Sequence, residues 1–347
     1  MPDVDPGPRR ARLISTPTPV EAAPRLARAI GLADGDLWIK RDDLTGLGGG
    51  GNKARKLEWT AGAALAHGAT TLVTSGAAQS NHARLTAAAG ARLGLDVVLV
   101  LSGKPAGAAS GNIALDGLFG ARIVWAGDAG DAALEDAALE DTVADVAARL
   151  RAAGRRPEVI PFGGSSVLGA HGYVEAGEEL LAQLPDLTTA VVAVGSGGTM
   201  AGLVSALGAG RVLGVHCGAV PDPEQAVAGL ADGLPGDRQA GPPRLRLRLR
   251  LDQVGPGYSE LTGPVREAML IAARTEGIVL DPVYTGRALA GLIAAVRDGD
   301  VRPGERTVLL HTGGLPGLFG HPAALAEASS LVDAQSQRRV PGRRDLW

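Results

Sequence analysis

A chain of 347 residues can bury a substantial core and is long enough to divide into two lobes. Its 45% hydrophobic and 20% charged residues are those of an ordinary globular protein, and a net charge of −3 gives no electrostatic case for nucleic acid or an anionic membrane. The lone cysteine, Cys217, excludes an internal disulfide framework and a zinc–thiolate cluster; with no apolar run of membrane-spanning length and no secretory h-region after Met1, the expected setting is the cytoplasm.

After an irregular start over residues 1–12, Leu37 to Lys40 reads as a strand. Lys53 to His67 reads as a helix ended by Gly68, Thr70 to Ser75 as a strand, and Asn81 to Leu93 as a helix closed by Gly94. Val97 to Leu101, Ile123 to Trp125 and Val159 to Pro161 are further strands, the last two separated by a helix over 131–153 rich in Ala, Asp and Glu. A second series runs from a helix over 171–184 through the strand Ala190 to Val194, a helix from Thr199 and the strand Val212 to Cys217. Pro221 to Pro243, rich in Gly and Pro, reads as a surface loop. Arg244 to Leu251 alternates Arg and Leu, the pattern of a strand with one buried face. Thr307 to Leu310 is an apolar strand, and 334–347 an irregular end. Short β-rich runs alternating with longer Ala-rich segments indicate an α/β fold with a mainly parallel sheet.

Lysine is scarce: Lys40, Lys53, Lys56 and Lys104 are the only lysines among 34 basic residues. An amine can lose its proton and attack a carbonyl, whereas a guanidinium stays charged. Lys53 follows Gly48-Gly49-Gly50-Gly51-Asn52, a backbone able to approach a ligand closely, and this suggests a Schiff-base lysine of the kind that anchors pyridoxal phosphate (PLP). A surface lysine after a flexible loop is the bland alternative.

Gly195-Ser196-Gly197-Gly198-Thr199-Met200 follows one strand and opens a helix, so its N–H groups, helix dipole and two hydroxyls make an anion site. A dinucleotide fingerprint would need glycine where Met200 stands and an acid where His216-Cys217 stands, so a monophosphate fits better than NAD. Gln79-Ser80-Asn81-His82 lies between a strand and a helix, where it forms either a carboxylate cradle or a plain cap at Ser80. Asp281-Pro282-Val283-Tyr284-Thr285-Gly286 and His311-Thr312-Gly313-Gly314 are each, alone, simple turns. The six histidines show no metal-ligand spacing, and His82 and His311 read as hydrogen-bonding groups.

Together these motifs resemble the fold-type II PLP enzymes, in the branch containing 1-aminocyclopropane-1-carboxylate (ACC) deaminase, D-cysteine desulfhydrase and L-cysteate sulfo-lyase. The matching text also includes Ile39 to Leu47, Gly51 to Glu58, Ala83-Arg84 and Gly255-Pro256-Gly257-Tyr258, and spans about 12–335. The stretches Ser102 to Asn112 and Pro221 to Gly241 do not match. The resemblance implies two open, twisted, mainly parallel sheets flanked by helices. It implies a large PLP-binding domain from 1–52 and 162–335, a small domain over 53–161, a frayed tail at 336–347, and a homodimer.

It also implies roles. Lys53 would hold PLP and shuttle protons; Ser196, Gly197, Gly198 and Thr199 would bind its phosphate, and Asn81 its 3′-oxygen. Ser80, Asn81 and His82 would cradle the substrate carboxylate, with Tyr258 and Tyr284 facing the substrate. ACC deaminases carry glutamate where this chain has Thr285, an acid beside the pyridine nitrogen. A threonine there, or Thr312, makes a weaker electron sink, which favours β-elimination over opening a cyclopropane. The expected reaction is therefore D-cysteine to pyruvate, hydrogen sulfide and ammonia, with ACC, L-cysteate or a modified amino acid as alternatives. A nicotinamide dehydrogenase and a silent PLP-binding relative are the readings outside that class.

Overall fold

The computed structural model describes residues 10–105, 107–127, 132–235 and 246–336. The first half contains β1 (Val20–Ala22), α1 (Pro24–Ala29), β2 (Leu37–Lys40), α2 (Lys53–Ala66), β3 (Thr71–Gly76) and α3 (Asn81–Leu93). It continues with β4 (Asp96–Leu101), α4 (Gly111–Leu118), β5 (Arg122–Trp125), α5 (Ala132–Ala152) and β6 (Pro157–Val159). The second half contains α6 (Val167–Gln183), β7 (Thr189–Val194), α7 (Gly198–Leu207), β8 (Val212–His216), α8 (Pro223–Ala231) and β9 (Arg248–Arg250). It ends with α9 (Gly263–Glu276), α10 (Thr285–Arg297), β10 (Thr307–Leu310), α11 (Leu315–Phe319) and α12 (Pro322–Ser336).

The strands form a six-stranded sheet, β1-β2-β10-β7-β8-β9, and a four-stranded sheet, β5-β4-β3-β6. Every pairing is parallel except β1 with β2. A sheet buried on both faces needs apolar side chains in both directions, and β7 is buried along its whole length. Val191 and Ala193 pack with residues of α1, α9 and α10, whereas Ala190, Val192 and Val194 pack with α6 and α7. In the smaller sheet Leu72, Leu99 and Leu101 face α2 and α3, while Val73, Val98 and Val100 face α5.

Local chemistry explains the boundaries. Ser80 Oγ accepts the Ala83 N–H and caps α3, and Gly94 ends it in the left-handed region at φ 70°. The helix expected over 171–184 begins earlier, at Val167, because Ser166 caps it through the Gly169 N–H (3.0 Å). The stretch expected as a surface loop from Pro221 contains α8, with Asp222 as cap and Pro223 in the first turn. The alternating Arg/Leu run yields only the short β9, all of it half-buried; Arg250 reaches Asp252, Asp298 and Asp300, so no clean inner and outer faces result. Arg244, Leu245 and the tail from residue 337 lie outside the described residues.

α2 is tied down by buried charge. Arg55 makes paired hydrogen bonds to Asp42 (3.0 and 2.9 Å) and reaches Glu179 on α6 (3.0 Å), while Tyr173 donates to Asp42. Burial alone would raise the Asp42 carboxyl, but the Arg55 charge and its hydrogen bonds hold it below 3.8. This network fixes the helix whose first residue is Lys53.

Candidate active site

A cavity of about 580 Å³ opens beyond the carboxyl ends of strands from both sheets. It is bounded by Ala77 after β3, Ser102 after β4, Gly195 after β7, Gly218 after β8 and Thr312 after β10. That is where ligands collect in open α/β sheets. Lys53, Ser80, Asn81, His82, Ser196, Gly197, Thr199, Tyr258, Tyr284 and Thr312 all line it. Gly198 and Thr285 do not.

Lys53 opens α2, and Asn52 beside it donates to Thr199 Oγ1 (2.9 Å), joining this helix start to that of α7. The Lys53 side chain borders the cavity but is otherwise enclosed by protein. Burial lowers its amine from 10.5 to about 8, so a nucleophilic fraction exists near neutral pH.

The residue before α7, Gly197, offers no side-chain cap, which leaves the N–H groups after Gly198 available to an anion. Gly197 sits there at φ 86°, against the backbone of Ala226. Ser196 Oγ lies 2.7 Å from Ser165 Oγ, which also accepts the Gly198 N–H (3.2 Å). Gly198 thus stands behind the turn, held by Ser165. Lys56 Nζ donates to Ser165 Oγ (2.9 Å) and to the Gly163 carbonyl (3.3 Å), with no carboxylate partner among the described residues. Burial, then the neighbouring Lys53 charge, lowers its amine well below the ordinary value. An anion bound at that helix start would favour the charged form of this amine.

Ser80 is a helix cap and a cavity residue at once: its oxygen accepts the Ala83 N–H (3.1 Å), and its own proton remains to donate. His82 is neutral, held well below the imidazole range by burial and by the Lys53 and Lys56 charges. Thr74 donates to the Ile160 carbonyl (2.8 Å), so it accepts from His82 Nε2–H (2.9 Å); the buried Nδ1 lone pair has no partner.

On the far side, the Tyr258 and Tyr284 hydroxyls are hydrogen-bonded. Asp281 sets this up: its carboxylate accepts N–H groups from Val283, Tyr284 and Thr285 (3.0, 3.0 and 2.8 Å), turning Tyr284 into the cavity. Thr285 serves the same turn, donating to Asp281 (2.6 Å) and accepting its N–H (2.8 Å). Its hydroxyl is therefore used within the protein, and Thr312 is the motif threonine that borders the cavity. Among the described residues, no aspartate or glutamate lines the cavity.

A reactive amine, an open phosphate-sized anion site and small polar donors between them are the parts a PLP site needs, and they fit that cofactor. Residues 12–313 match the family described as pyridoxal-phosphate dependent enzyme. The chain belongs to that family. It is 40% identical to D-cysteine desulfhydrase of Klebsiella pneumoniae subsp. pneumoniae over 90% of this chain and 96% of that protein. It is also 40% identical to a putative 1-aminocyclopropane-1-carboxylate deaminase of Pyrococcus horikoshii, over 89% of this chain and 93% of that one. A solved ACC deaminase homologue superposes with TM-score 0.81 at 37% identity, covering 92% of this chain and 96% of that one. The chain is thus a PLP-dependent enzyme with the fold-type II architecture.

Sequence reasoning left Lys56, Ser165 and Asn52 without roles. The signal for Lys56 was present: in a chain this poor in lysine, a second one three residues after Lys53 stands on the same face of α2.

Proposed function

We propose that this enzyme carries out α,β-elimination on D-cysteine, releasing pyruvate, hydrogen sulfide and ammonia. The observation that carries this reading is that Thr312 borders the cavity, where among the described residues no carboxylate does. Bound PLP supplies the electron sink that makes an amino acid's α-proton removable. Without an acid to strengthen that sink, loss of a good leaving group such as thiolate is favoured over opening a cyclopropane.

The residues take these parts. Lys53 Nζ holds the cofactor, then takes and returns the α-proton, for which a proton affinity near neutrality is suited. Ser196, Gly197 and Thr199 hold the phosphate, with Gly198 bracing the turn and Lys56 supplying the charge. Asn81 faces the 3′-oxygen. Ser80, Asn81 and, through its backbone N–H, His82 receive the substrate carboxylate at the start of α3. Tyr258 and Tyr284 place hydroxyls toward the departing group. Of the other lining residues, Ala77, Ser102, Leu139, Phe162, Val220 and Pro221 are small or apolar, which suits a short uncharged thiol better than the sulfonate of L-cysteate.

The same reading includes two lobes, 53–161 and the remainder, since strands β3 to β6 form the smaller sheet by themselves. It includes a homodimer, supported by exposed Leu118, Leu315 and Phe319 on α4 and α11, and a cytoplasmic setting, which a single buried free thiol suits. No helix among the described residues is long and apolar enough to cross a membrane. The test is 2-oxo acid release by one preparation, as pyruvate from D-cysteine or L-cysteate and as 2-oxobutanoate from ACC. The reading expects D-cysteine to be turned over fastest; faster turnover of ACC overturns it.

A further inference from the structure

α4 begins at the end of the stretch that lacks family text, and it delivers Asn112, fully buried, against Asn81. Asn112 Nδ2 lies 3.0 Å from Asn81 Oδ1 and 2.8 Å from the Gln79 carbonyl, and its Oδ1 lies 3.1 Å from Arg84 Nε. The Asn112 N–H also donates to Gln79 Oε1 (2.9 Å). Gly111 makes this approach possible: at φ 57°, an added Cβ would lie 2.5 Å from Gln79 Oε1 and 2.7 Å from the Pro316 carbonyl.

Amide orientation is normally ambiguous between oxygen and nitrogen, and here the partners resolve it. Arg84 can only donate, and its Nη1 donates to the carbonyls of Gly48 and Gly50 (2.5 and 3.0 Å), which fixes the guanidinium. The Asn112 atom facing Arg84 Nε must therefore be oxygen. The Gln79 carbonyl can only accept, so the atom facing it must be the Asn112 nitrogen. Both ends give the same answer. Asn112 then donates to Asn81, whose facing atom must be its oxygen. The Asn81 NH2 group is what remains for the cavity.

We propose that Asn112 is a positioning residue that makes Asn81 offer N–H donors, and not its carbonyl, to the cavity. The consequence is selection at that point for an anionic or lone-pair oxygen, the ionised 3′-oxygen of the cofactor. This rests on the reading of Asn81 as a cofactor ligand. Through Arg84, the loop before Lys53 and the donor set by Asn81 share one rigid connection.

The test compares wild type, Asn112→Asp and Asn112→Ala, each supplied with PLP. The readouts are the cofactor's absorption spectrum against pH, its dissociation constant, and thermal unfolding of the unloaded protein. Asn112→Asp keeps the shape and still accepts from Arg84, but it cannot donate to Asn81 and so favours the reversed amide. Its cofactor affinity should fall roughly tenfold, with the visible band losing intensity to the near-ultraviolet, because one hydrogen bond to a charged oxygen is lost. Asn112→Ala takes this partner from Arg84 Nε and the Gln79 carbonyl but leaves Asn81 merely free to turn, so affinity should fall roughly threefold, a fraction of that bond. A packing role predicts the opposite order, with the truncation worse than the isostere. An unchanged spectrum and affinity in Asn112→Asp, or a larger change in Asn112→Ala, overturns the proposal. If unfolding shows Asn112→Asp not to fold, an Asn112→Ala indistinguishable from wild type overturns it alone. A wild type that takes up no PLP overturns the cofactor reading first, and this proposal with it.

Discussion

Tyr258 and Tyr284 meet hydroxyl to hydroxyl, their rings edge to face with centroids 6.0 Å apart and planes at 73°. One hydroxyl donates to the other, so the accepting tyrosine keeps its own proton for the cavity. Burial pushes Tyr258 up to about 12 and Tyr284 well above the usual phenol value, so both stay neutral and act as donors. Replacing either by phenylalanine should lower kcat for D-cysteine by about 100-fold or more, the scale of a lost proton-handling group, while thermal unfolding moves little. Steady-state kinetics beside a melting curve checks it; a variant that keeps full kcat removes the pair from the chemistry.

Lys53 sets a pH dependence. The amine is nucleophilic only when neutral, and burial places its midpoint at about 8 and not 10.5. Capture of PLP by the unloaded protein should therefore quicken about tenfold per unit between pH 6 and 7.5, then level off above about 8.5. Stopped-flow absorbance measures this. A rate still climbing through pH 10 would mean an amine exposed to water.

Lys56 should give two effects of opposite sign. Buried with neutral partners, its amine costs stability in the unloaded protein, and charged beside a bound phosphate at the turn it strengthens cofactor binding. Lys56→Met should raise the melting temperature of the unloaded protein. It should also weaken PLP at least tenfold, the scale of a lost charge-assisted bond, and leave pyridoxal, which has no phosphate, nearly unaffected. Equal losses for both compounds would place Lys56 away from the phosphate.

The Asp42–Arg55 pair should govern the stability of the helix that presents Lys53. Asp42→Asn leaves Arg55 with Glu179 as its one carboxylate partner and should cost about 3 kcal/mol in denaturant unfolding at pH 7, the lower end for a broken buried pair. The Asp42 carboxyl is lower in the folded than the unfolded chain, so its stabilisation is present above its unfolded pKa of about 4 and is lost as pH falls below it. The gap between wild type and variant should close in acid; a gap that widens there would contradict this assignment.

The sequence made legible what local chemistry determines. α3 carries its own start and stop residues, α2 its stop at Gly68, and the glycine turn after β7 announces an open helix start. What it hid depends on distant partners. Thr285 looks like a cofactor neighbour in the linear motif, yet Asp281 four residues earlier engages its hydroxyl. α4 has weak local signals because Gly111, at its first position, is required by Gln79 and Pro316 from elsewhere in the chain. The Arg/Leu alternation promised a longer two-faced strand, but β9 is an edge strand whose arginines are spent on aspartates and carbonyls.

The most direct test of the account is to reduce the PLP-loaded protein with borohydride and locate the modified lysine by peptide fragmentation. The account predicts the label on Lys53, with Lys56 unmodified and Lys53→Ala unlabelled. A label on Lys56 or Lys104, or an Lys53→Ala protein labelled as well as wild type, would contradict it.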